Sequence, residues 1–154
     1  MKKLSSEVLS ALRGKTLVTA ESLTGGGIGA ALTAISGSSE VYKGGVISYT
    51  NAVKTSVLGV PEQVLLEHGA VSAPTAQAMA EGVRELLKAD VAVSVTGLAG
   101  PGGDEFGNPV GTVFIGYADG TRTEVRRYLF FGNREDVRSQ TVQAAQELIL
   151  EFCE

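Results

Sequence analysis

Hydrophobic positions recur along the chain with two different spacings, which predict an alternation of helices and strands. The first helix is indicated by apolar residues at helical spacing, and Gly14 ends it; these residues are Leu4, Val8, Leu9 and Leu12. The same spacing predicts further helices over residues 28–35, 51–58, 61–68, 74–88 and 134–152. Uncharged or alternating apolar runs predict strands over residues 15–20, 41–49, 91–95, 110–117 and 123–131.

The order of these elements predicts the fold class. Helices that alternate with strands and are followed by one hairpin indicate an α/β protein, a three-layer α/β/α sandwich with a mixed, mostly parallel sheet. Gly44 and Gly45 indicate a bulge or a close backbone approach in the second strand. No linker or repeat divides the chain, so we expect a single domain over residues 1–154. Ligands of such sheets bind beyond the carboxyl ends of the strands, where loops 20–27 and 96–108 are expected to lie.

Composition and charge narrow the classes of partner. The formal net charge is −4, with basic residues interspersed among acidic ones, which argues against a nucleic-acid partner. Aromatic residues make up 6% of the chain with no Trp, so a stacking surface for single strands is not indicated either. No apolar run reaches about 18 residues, and the N-terminus has no apolar signal segment. We therefore expect a cytoplasmic protein without membrane contact, in which Cys153 forms no internal disulfide.

The stretch T-A-E-S-L-T-G-G-G, residues 19–27, places an acid, hydroxyls and three glycines between a predicted strand and a predicted helix. Such a turn could bind a phosphate, although neither the P-loop pattern nor G-x-G-x-x-G is present. Its N–H groups could equally form an oxyanion hole, or the glycines could serve close helix–strand packing alone. Ser22 stands just before these N–H groups, where a nucleophile would stand, and a serine nucleophile needs a base.

Two residues are candidates for that base. His68 would be needed for a Ser-His-Asp triad, but its place in L-L-E-H-G-A favours a residue that ends a helix. Lys54 lies on the first turn of a short predicted helix, where burial would lower its pKa and provide a neutral fraction. Tyr49, at the preceding strand end, could relay or orient a proton. From these residues alone, a solvated lysine and an ordinary strand-end tyrosine are the simpler interpretation.

The second loop, S-V-T-G-L-A-G-P-G-G-D, offers the Thr96 hydroxyl and many backbone N–H groups. It could hold a phosphate or a ribose, or it could be a flexible surface crossover. Arg134 begins the last predicted helix at the same end of the sheet, and a guanidinium group suits a phosphate. This second loop therefore supplies candidates for binding rather than for bond cleavage.

Several of these segments together resemble the C-terminal domain of the CinA (competence/damage-inducible) family. The segments occur in order over essentially the whole chain: T-A-E-S-L-T-G-G-G, G-S-S-E-V-Y-K-G-G-V-I-S-Y-T-N-A-V-K, H-G-A-V-S, S-V-T-G-L-A-G-P-G-G-D and P-V-G-T-V. The chain is similar to the stand-alone form, which lacks the additional N-terminal domain of full-length members. Leu23 stands where the family often has cysteine, a thiol that serine chemistry does not need.

The resemblance implies a nicotinamide-nucleotide amidase, which hydrolyses nicotinamide mononucleotide to nicotinate mononucleotide and ammonia in pyridine nucleotide recycling. It implies a serine–lysine mechanism with Ser22 as nucleophile and Lys54 as base, assisted by Tyr49. The expected substrate-binding residues are Glu21, Thr24, Gly25, Gly26, Thr96, Gly97, Gly100 and Arg134, of which Glu21 either orients the turn or binds the ribose. The expected partner is a small-molecule nucleotide, no metal or other cofactor is expected, and self-association into a homo-oligomer stays open.

Two other classes of function also stay open. The domain could hold a nucleotide without turning it over, as a regulatory module related to competence or to the DNA damage response. It could instead be an esterase or peptidase of the serine–lysine type, which a phosphate-recognising loop would distinguish from a nucleotide amidase. The joint presence of Ser22, Tyr49 and Lys54 favours an enzyme, because binding alone needs no nucleophile beside a candidate base.

Overall fold

A computed structural model of the protein describes residues 1–153 as a five-stranded sheet with helices on both faces. The helices are α1 (Lys2–Ala11), α2 (Gly27–Thr33), α3 (Asn51–Ser56), α4 (Glu62–His68), α5 (Ala73–Leu87) and α6 (Arg134–Phe152). The strands are β1 (Leu17–Glu21), β2 (Tyr42–Ile47), β3 (Val91–Gly97), β4 (Thr112–Ala118) and β5 (Thr123–Leu129). A short 3-10 turn, Ser38–Glu40, precedes β2.

The sheet is mixed, with strand order β2-β1-β3-β4-β5. β1 lies parallel to both β2 and β3, whereas β3 pairs with β4 and β4 with β5 in antiparallel fashion. All strands except β4 therefore point in the same direction. Because the three parallel strands end at one edge, the loops that follow β1, β2 and β3 meet there.

Helices cover both faces of the sheet. α1, α2 and α6 pack together on one face, and α5 lies across the other with α4 beside it. The strands alternate accordingly, since Leu17 of β1 joins the core under α1, α2 and α6, whereas Val18 and Ala20 join the core under α5. The predicted three-layer α/β/α sandwich is confirmed.

Every predicted helix and strand is present, although several end at different residues. The last helix has the predicted bounds, whereas β2 ends at Ile47 rather than at residue 49. Pro61 precedes α4 with an extended backbone, and Pro74 is the second residue of α5. The early end of β2 matters for the site, because the two residues after it leave the sheet and turn toward α3.

The close backbone approach predicted in the second strand is confirmed at Gly45. Pairing between β1 and β2 shifts by one residue, since Leu17 lies opposite Tyr42 and Val18 opposite Gly44. A Cβ atom on Gly45 would lie 2.7 Å from the carbonyl oxygen of Thr19 on β1. Only glycine allows the two strands to approach this closely.

Within the described part of the chain, none of the helices combines the length and the apolar character that crossing a membrane requires.

Candidate active site

Ser22 lies at the corner where β1 turns toward α2. Its N–H donates to the carbonyl oxygen of Val95 at 3.0 Å, which ties the residue to the end of the neighbouring strand β3. The side chain is largely buried, and it is directed to the pocket at the carboxyl edge of the sheet. The fold thus places this hydroxyl where sheets of this class bind their ligands.

Lys54 reaches Ser22 from α3. Its Nζ lies 3.1 Å from the Oγ of Ser22, 2.7 Å from the carbonyl oxygen of Ser48 and 3.4 Å from that of Tyr49. Thr50 caps the start of α3 by accepting the N–H of Val53, which fixes the turn that carries the lysine. The side chain of Lys54 is only 1% exposed, so its amine is held in place rather than solvated.

The surroundings of Lys54 favour its neutral form. Burial lowers the pKa of Lys54 from its ordinary value of 10.5 to about 8. None of the ion pairs found among residues 1–153 includes this lysine, so no carboxylate offsets the loss of hydration. A useful neutral fraction therefore exists near neutral pH, as a general base requires.

The three neighbours of Nζ match the valences of a neutral amine. A neutral amine has two N–H groups and one lone pair, and the carbonyl oxygens of Ser48 and Tyr49 can accept the two N–H groups. The lone pair is then left for the hydroxyl proton of Ser22. Deprotonation of Lys54 thus reverses the direction of the contact, so that Ser22 donates and the amine accepts.

A pocket of about 310 Å³ opens beside these two side chains. Its lining includes Tyr49, Asn51, Ala70, Thr96, Gly97 and Arg134. A larger cavity, about 780 Å³, lies at the other end of the sheet between the ends of α1 and α2 and contacts neither Ser22 nor Lys54. The smaller pocket is the candidate active site, because between these two cavities of the described chain it is the one where a hydroxyl and a buried amine meet.

The predicted binding loop forms one wall of this pocket. Thr96 is buried and donates its hydroxyl to the carbonyl oxygen of Ala70 at 2.8 Å, while Gly97 and Gly100 present backbone to the pocket. Arg134 lies at the mouth, where its Nη1 donates to the carbonyl oxygen of Gly100 at 2.8 Å. The structure therefore brings Thr96, Gly97, Gly100 and Arg134 together with Ser22.

Tyr49 contacts Lys54 through its backbone rather than through its ring. The side chain is 59% exposed, and its hydroxyl accepts a hydrogen bond from Nη2 of Arg134 at 3.2 Å. The contact with Lys54 is made by the carbonyl oxygen. Because the chain has already left β2 at this point, the ring turns to the pocket mouth, and the expected link between the hydroxyl and the lysine is absent here.

Glu21 departs from one of its two expected roles. Its carboxylate is 2% exposed and points away from Ser22, toward α2. It accepts four hydrogen bonds, from the hydroxyls of Thr19 and Thr24 and from the N–H groups of Ile28 and Gly29. These contacts agree with orientation of the turn and not with binding of a ribose, since both oxygens are already used and Glu21 does not line the pocket.

Thr24, Gly25 and Gly26 also shape the turn and are not among the residues that line the pocket, so their expected contact with a substrate is limited to backbone N–H groups. Thr24 is buried and donates its hydroxyl to Glu21 at 2.7 Å. Gly25 and Gly26 have φ values of 57° and 100°, a region that favours glycine. The N–H of Gly25 donates to the carbonyl oxygen of Ser22 at 3.1 Å, so it is not available for an oxyanion.

Gly25 is thus not a candidate oxyanion donor, whereas the N–H of Gly26 has no acceptor within residues 1–153 and stays a candidate. Leu23 lines the pocket, and in the described chain its N–H and that of Thr24 have no acceptor. Arg138 of α6 fixes this segment by donating to the carbonyl oxygens of Leu23 and Thr24 at 2.9 and 3.3 Å. Sequence reasoning missed Arg138, although its place four residues after Arg134, on the same face of a helix, was a usable signal.

His68 does not take part in the site. It is the last residue of α4, about half exposed, and its Nε2 lies 3.8 Å from a carboxylate oxygen of Glu67. This agrees with the helix-ending interpretation, and no Ser-His-Asp triad forms. Across residues 1–153, no three His, Cys, Asp or Glu side chains are grouped so that they could hold a metal ion.

Comparison with known proteins extends this picture. The family model for the CinA C-terminal domain matches residues 1–153. A CinA-like protein of Syntrophus aciditrophicus (strain SB) is 51% identical over 138 residues, which cover 89% of this chain and 33% of that protein. A CinA-like protein of Synechococcus sp. (strain RCC307) is 50% identical over 150 residues, covering 95% and 36%. The chain thus spans about a third of the length of these curated relatives.

Solved structures agree with the same assignment. The competence damage-inducible protein A (ComA) of Klebsiella pneumoniae superposes with a TM-score of 0.96 at 39% identity, covering 98% of this chain and 95% of that one. The competence/damage inducible protein CihA of Agrobacterium tumefaciens superposes with a TM-score of 0.94 at 37% identity, covering 97% and 93%. Fold and sequence therefore point to the same set of proteins.

Proposed function

Because the chain belongs to the CinA family, through its C-terminal domain, we propose that it hydrolyses the carboxamide of nicotinamide mononucleotide to nicotinate mononucleotide and ammonia, in pyridine nucleotide recycling. The observation that carries the proposal is the 3.1 Å contact between the buried amine of Lys54 and the hydroxyl of Ser22. A buried amine with a lowered pKa, next to a serine at a ligand-binding edge, is what nucleophilic attack on a carbonyl requires.

Acylation begins when neutral Lys54 accepts the hydroxyl proton of Ser22. The Oγ attacks the carboxamide carbon, and the negative charge that develops on the carbonyl oxygen is stabilised by the free N–H groups of Leu23 and Thr24. The intermediate collapses when the Lys54 ammonium returns the proton to the leaving nitrogen, which departs as ammonia. Ser22 is then esterified and Lys54 is neutral again.

Deacylation uses the same groups with water as the nucleophile. Lys54 accepts a proton from a water molecule as its oxygen attacks the ester carbon, and the same N–H groups stabilise the oxyanion. Collapse breaks the bond to Oγ, and the proton returns from Lys54 to Ser22. The product is the free acid, which ionises to the carboxylate, and the enzyme is restored.

The pocket wall supports a nucleotide as the substrate. Its volume of about 310 Å³ suits a mononucleotide more closely than a peptide chain. Arg134 at the mouth can bind the 5′-phosphate bidentately, while the Tyr49 hydroxyl beside it can donate to the same group. A module that only held a nucleotide would not need a buried, uncompensated lysine beside Ser22, since that lysine contributes nothing to phosphate binding at the mouth.

Ammonia release tests this proposal directly. Purified protein is incubated with nicotinamide mononucleotide, with the riboside that lacks phosphate and with free nicotinamide, and ammonia is measured together with the carboxylate product. We expect one ammonia per carboxylate, with the mononucleotide by far the preferred substrate and Ser22→Ala as the inactive control. Tight binding of the mononucleotide without any ammonia would instead support the binding module, and hydrolysis of simple esters or peptides alone would support the other serine–lysine classes.

A further inference from the structure

Ser48 carries an unpaired buried hydroxyl next to the proposed base. The residue follows β2 directly and is fully buried. Its backbone is satisfied, because its N–H donates to the carbonyl oxygen of Glu21 at 2.9 Å and its own carbonyl oxygen accepts from Nζ of Lys54 at 2.7 Å. Its Oγ, by contrast, is the one buried side-chain nitrogen or oxygen in residues 1–153 that has no hydrogen-bond partner.

Two other buried serines of the protein are paired through their hydroxyls. The Oγ of Ser5 donates to Gln146 at 2.6 Å, and that of Ser94 donates to the carbonyl oxygen of Ala76 at 2.6 Å. Burying a hydroxyl without a partner destabilises the folded state, and such groups in native proteins call for an explanation. The exception at Ser48 therefore points to a state of the site in which the hydroxyl acquires a partner.

The catalytic cycle contains such a state. Neutral Lys54 is satisfied by two carbonyl oxygens and by the Ser22 proton, but the ammonium formed after proton transfer has three N–H groups. Ser22 Oγ is then bonded to the substrate carbon, and the carbonyl oxygen of Tyr49 lies at a long 3.4 Å. Because Ser48 already holds Nζ through its carbonyl, rotation about χ1 is the movement that would turn its hydroxyl toward the amine.

We propose that Ser48 is a positioning residue whose hydroxyl accepts a hydrogen bond from Lys54 when the amine is protonated, and releases it when the amine is neutral. The proposal rests on the proposed role of Lys54 as base. The other titratable groups near the pocket are Tyr49 and Arg134 at its mouth, and Glu21 on the far face of β1; none forms an ion pair with Lys54. A neutral acceptor can stabilise the ammonium without fixing the proton permanently on the lysine.

The kinetic test compares Ser48→Ala, Ser48→Thr and Ser5→Ala. Ser48→Ala removes an acceptor from a charged group, so kcat should fall about tenfold or more while KM for nicotinamide mononucleotide stays unchanged. Ser48→Thr keeps a hydroxyl and should recover most of the loss. Resistance to urea should not fall in Ser48→Ala, because the lost hydroxyl was unpaired, whereas Ser5→Ala should unfold more readily with an unchanged kcat.

A titration that does not depend on turnover separates this proposal from the proposed function. The pKa of Lys54 is followed by NMR of its side chain in the wild-type protein and in Ser48→Ala. Loss of an acceptor for the ammonium should lower the pKa further in the variant, and the acid limb of the kcat profile should move to lower pH with it. An unchanged or raised pKa overturns the role of Ser48, even in an active enzyme. A lowered pKa in a protein that releases no ammonia keeps the contact and rejects only the amidase.

Discussion

Glu21 and Ser22 are consecutive residues whose side chains serve opposite faces of the sheet. The carboxylate of Glu21 accepts the N–H groups of Ile28 and Gly29 at the start of α2, at 2.8 and 3.1 Å. The hydroxyl of Ser22 meets Lys54 of α3 on the other face. Two consecutive residues at the end of β1 therefore have different tasks. Glu21 fixes the start of α2, and this cap holds Ser22, the proposed nucleophile, in position beside Lys54.

Because Glu21 caps the start of α2, we expect its substitution to lower the stability and the turnover of the protein without weakening its affinity for the substrate. In Glu21→Gln an amide NH₂ must face one of the backbone donors, which leaves that N–H unpaired and costs about 1–3 kcal/mol. We expect a corresponding fall in the free energy of unfolding in urea, a lower kcat and an unchanged KM. Glu151→Gln, on the exposed pair with Arg126, is the matched control and should leave the stability nearly unchanged, because solvent screens an exposed ion pair. A raised KM with normal stability in Glu21→Gln would instead mean that Glu21 contacts the substrate.

If Lys54 is the general base, arginine cannot replace it. Arginine keeps the positive charge but does not deprotonate at any relevant pH. Lys54→Arg should therefore lose about 10²-fold or more in kcat, nearly as much as Lys54→Ala. In the wild-type protein the rate should fall below about pH 8, where the amine is protonated. Substantial activity of Lys54→Arg with the wild-type pH profile would make the lysine an anchor for an anion instead.

Burial of Lys54 also predicts a pH-dependent stability. The folded-state pKa, about 8, lies below the ordinary 10.5, so between these values the unfolded chain holds a proton that the folded protein has released. Stability must then rise with pH across this window, and the cost of burying the amine is largest below pH 8. Relative to Lys54→Met, the wild-type protein should gain a few kcal/mol between pH 7.5 and 10. Urea unfolding of both proteins measures this difference, and a constant difference would mean that the amine is hydrated.

If Arg134 binds the 5′-phosphate, the protein should distinguish nicotinamide mononucleotide from the riboside that lacks the phosphate. Its guanidinium is exposed at the pocket mouth and is oriented by Gly100 and Tyr49, which suits a bidentate contact with a phosphate. Arg134→Ala should raise KM for nicotinamide mononucleotide strongly while leaving the riboside almost unaffected. Arg127→Ala, an exposed arginine of β5, is the control for the change in net charge. An equal loss for both substrates would assign Arg134 to the structure of the loop.

The fold was predictable because each of its elements has a local cause. The last helix begins at a capping box formed by Asn133 and Asp136, and its bounds were predicted to the residue. The end of β2 was not, because Tyr49 favours a strand and Ser48 gives no local signal that ends one. They leave the sheet since the carbonyl oxygens of these residues turn toward Lys54, a contact that no local pattern encodes.

The sequence was enough to predict the two central residues of the candidate site, but not the residues that hold them in position. Ser22 and Lys54 were found from a glycine-rich corner and a family motif, and the structure places them within hydrogen-bond distance. Their catalytic roles remain predictions. The helical spacing from Arg134 was a signal for Arg138, but its contact with Leu23, 115 positions away, could not be foreseen. The same holds for the unpaired hydroxyl of Ser48, because both depend on which strand ends the sheet brings together.

The acyl-enzyme is the most direct test of the central claim, that Ser22 is a nucleophile activated by Lys54. The protein is mixed with nicotinamide mononucleotide, quenched in acid during turnover and mapped by mass spectrometry, with Lys54→Arg treated in parallel. We predict that the peptide containing Ser22 gains the mass of the substrate less ammonia in the wild-type protein, and that this adduct is nearly absent in Lys54→Arg. Steady release of ammonia by Ser22→Ala, or an adduct on another residue, would contradict the account.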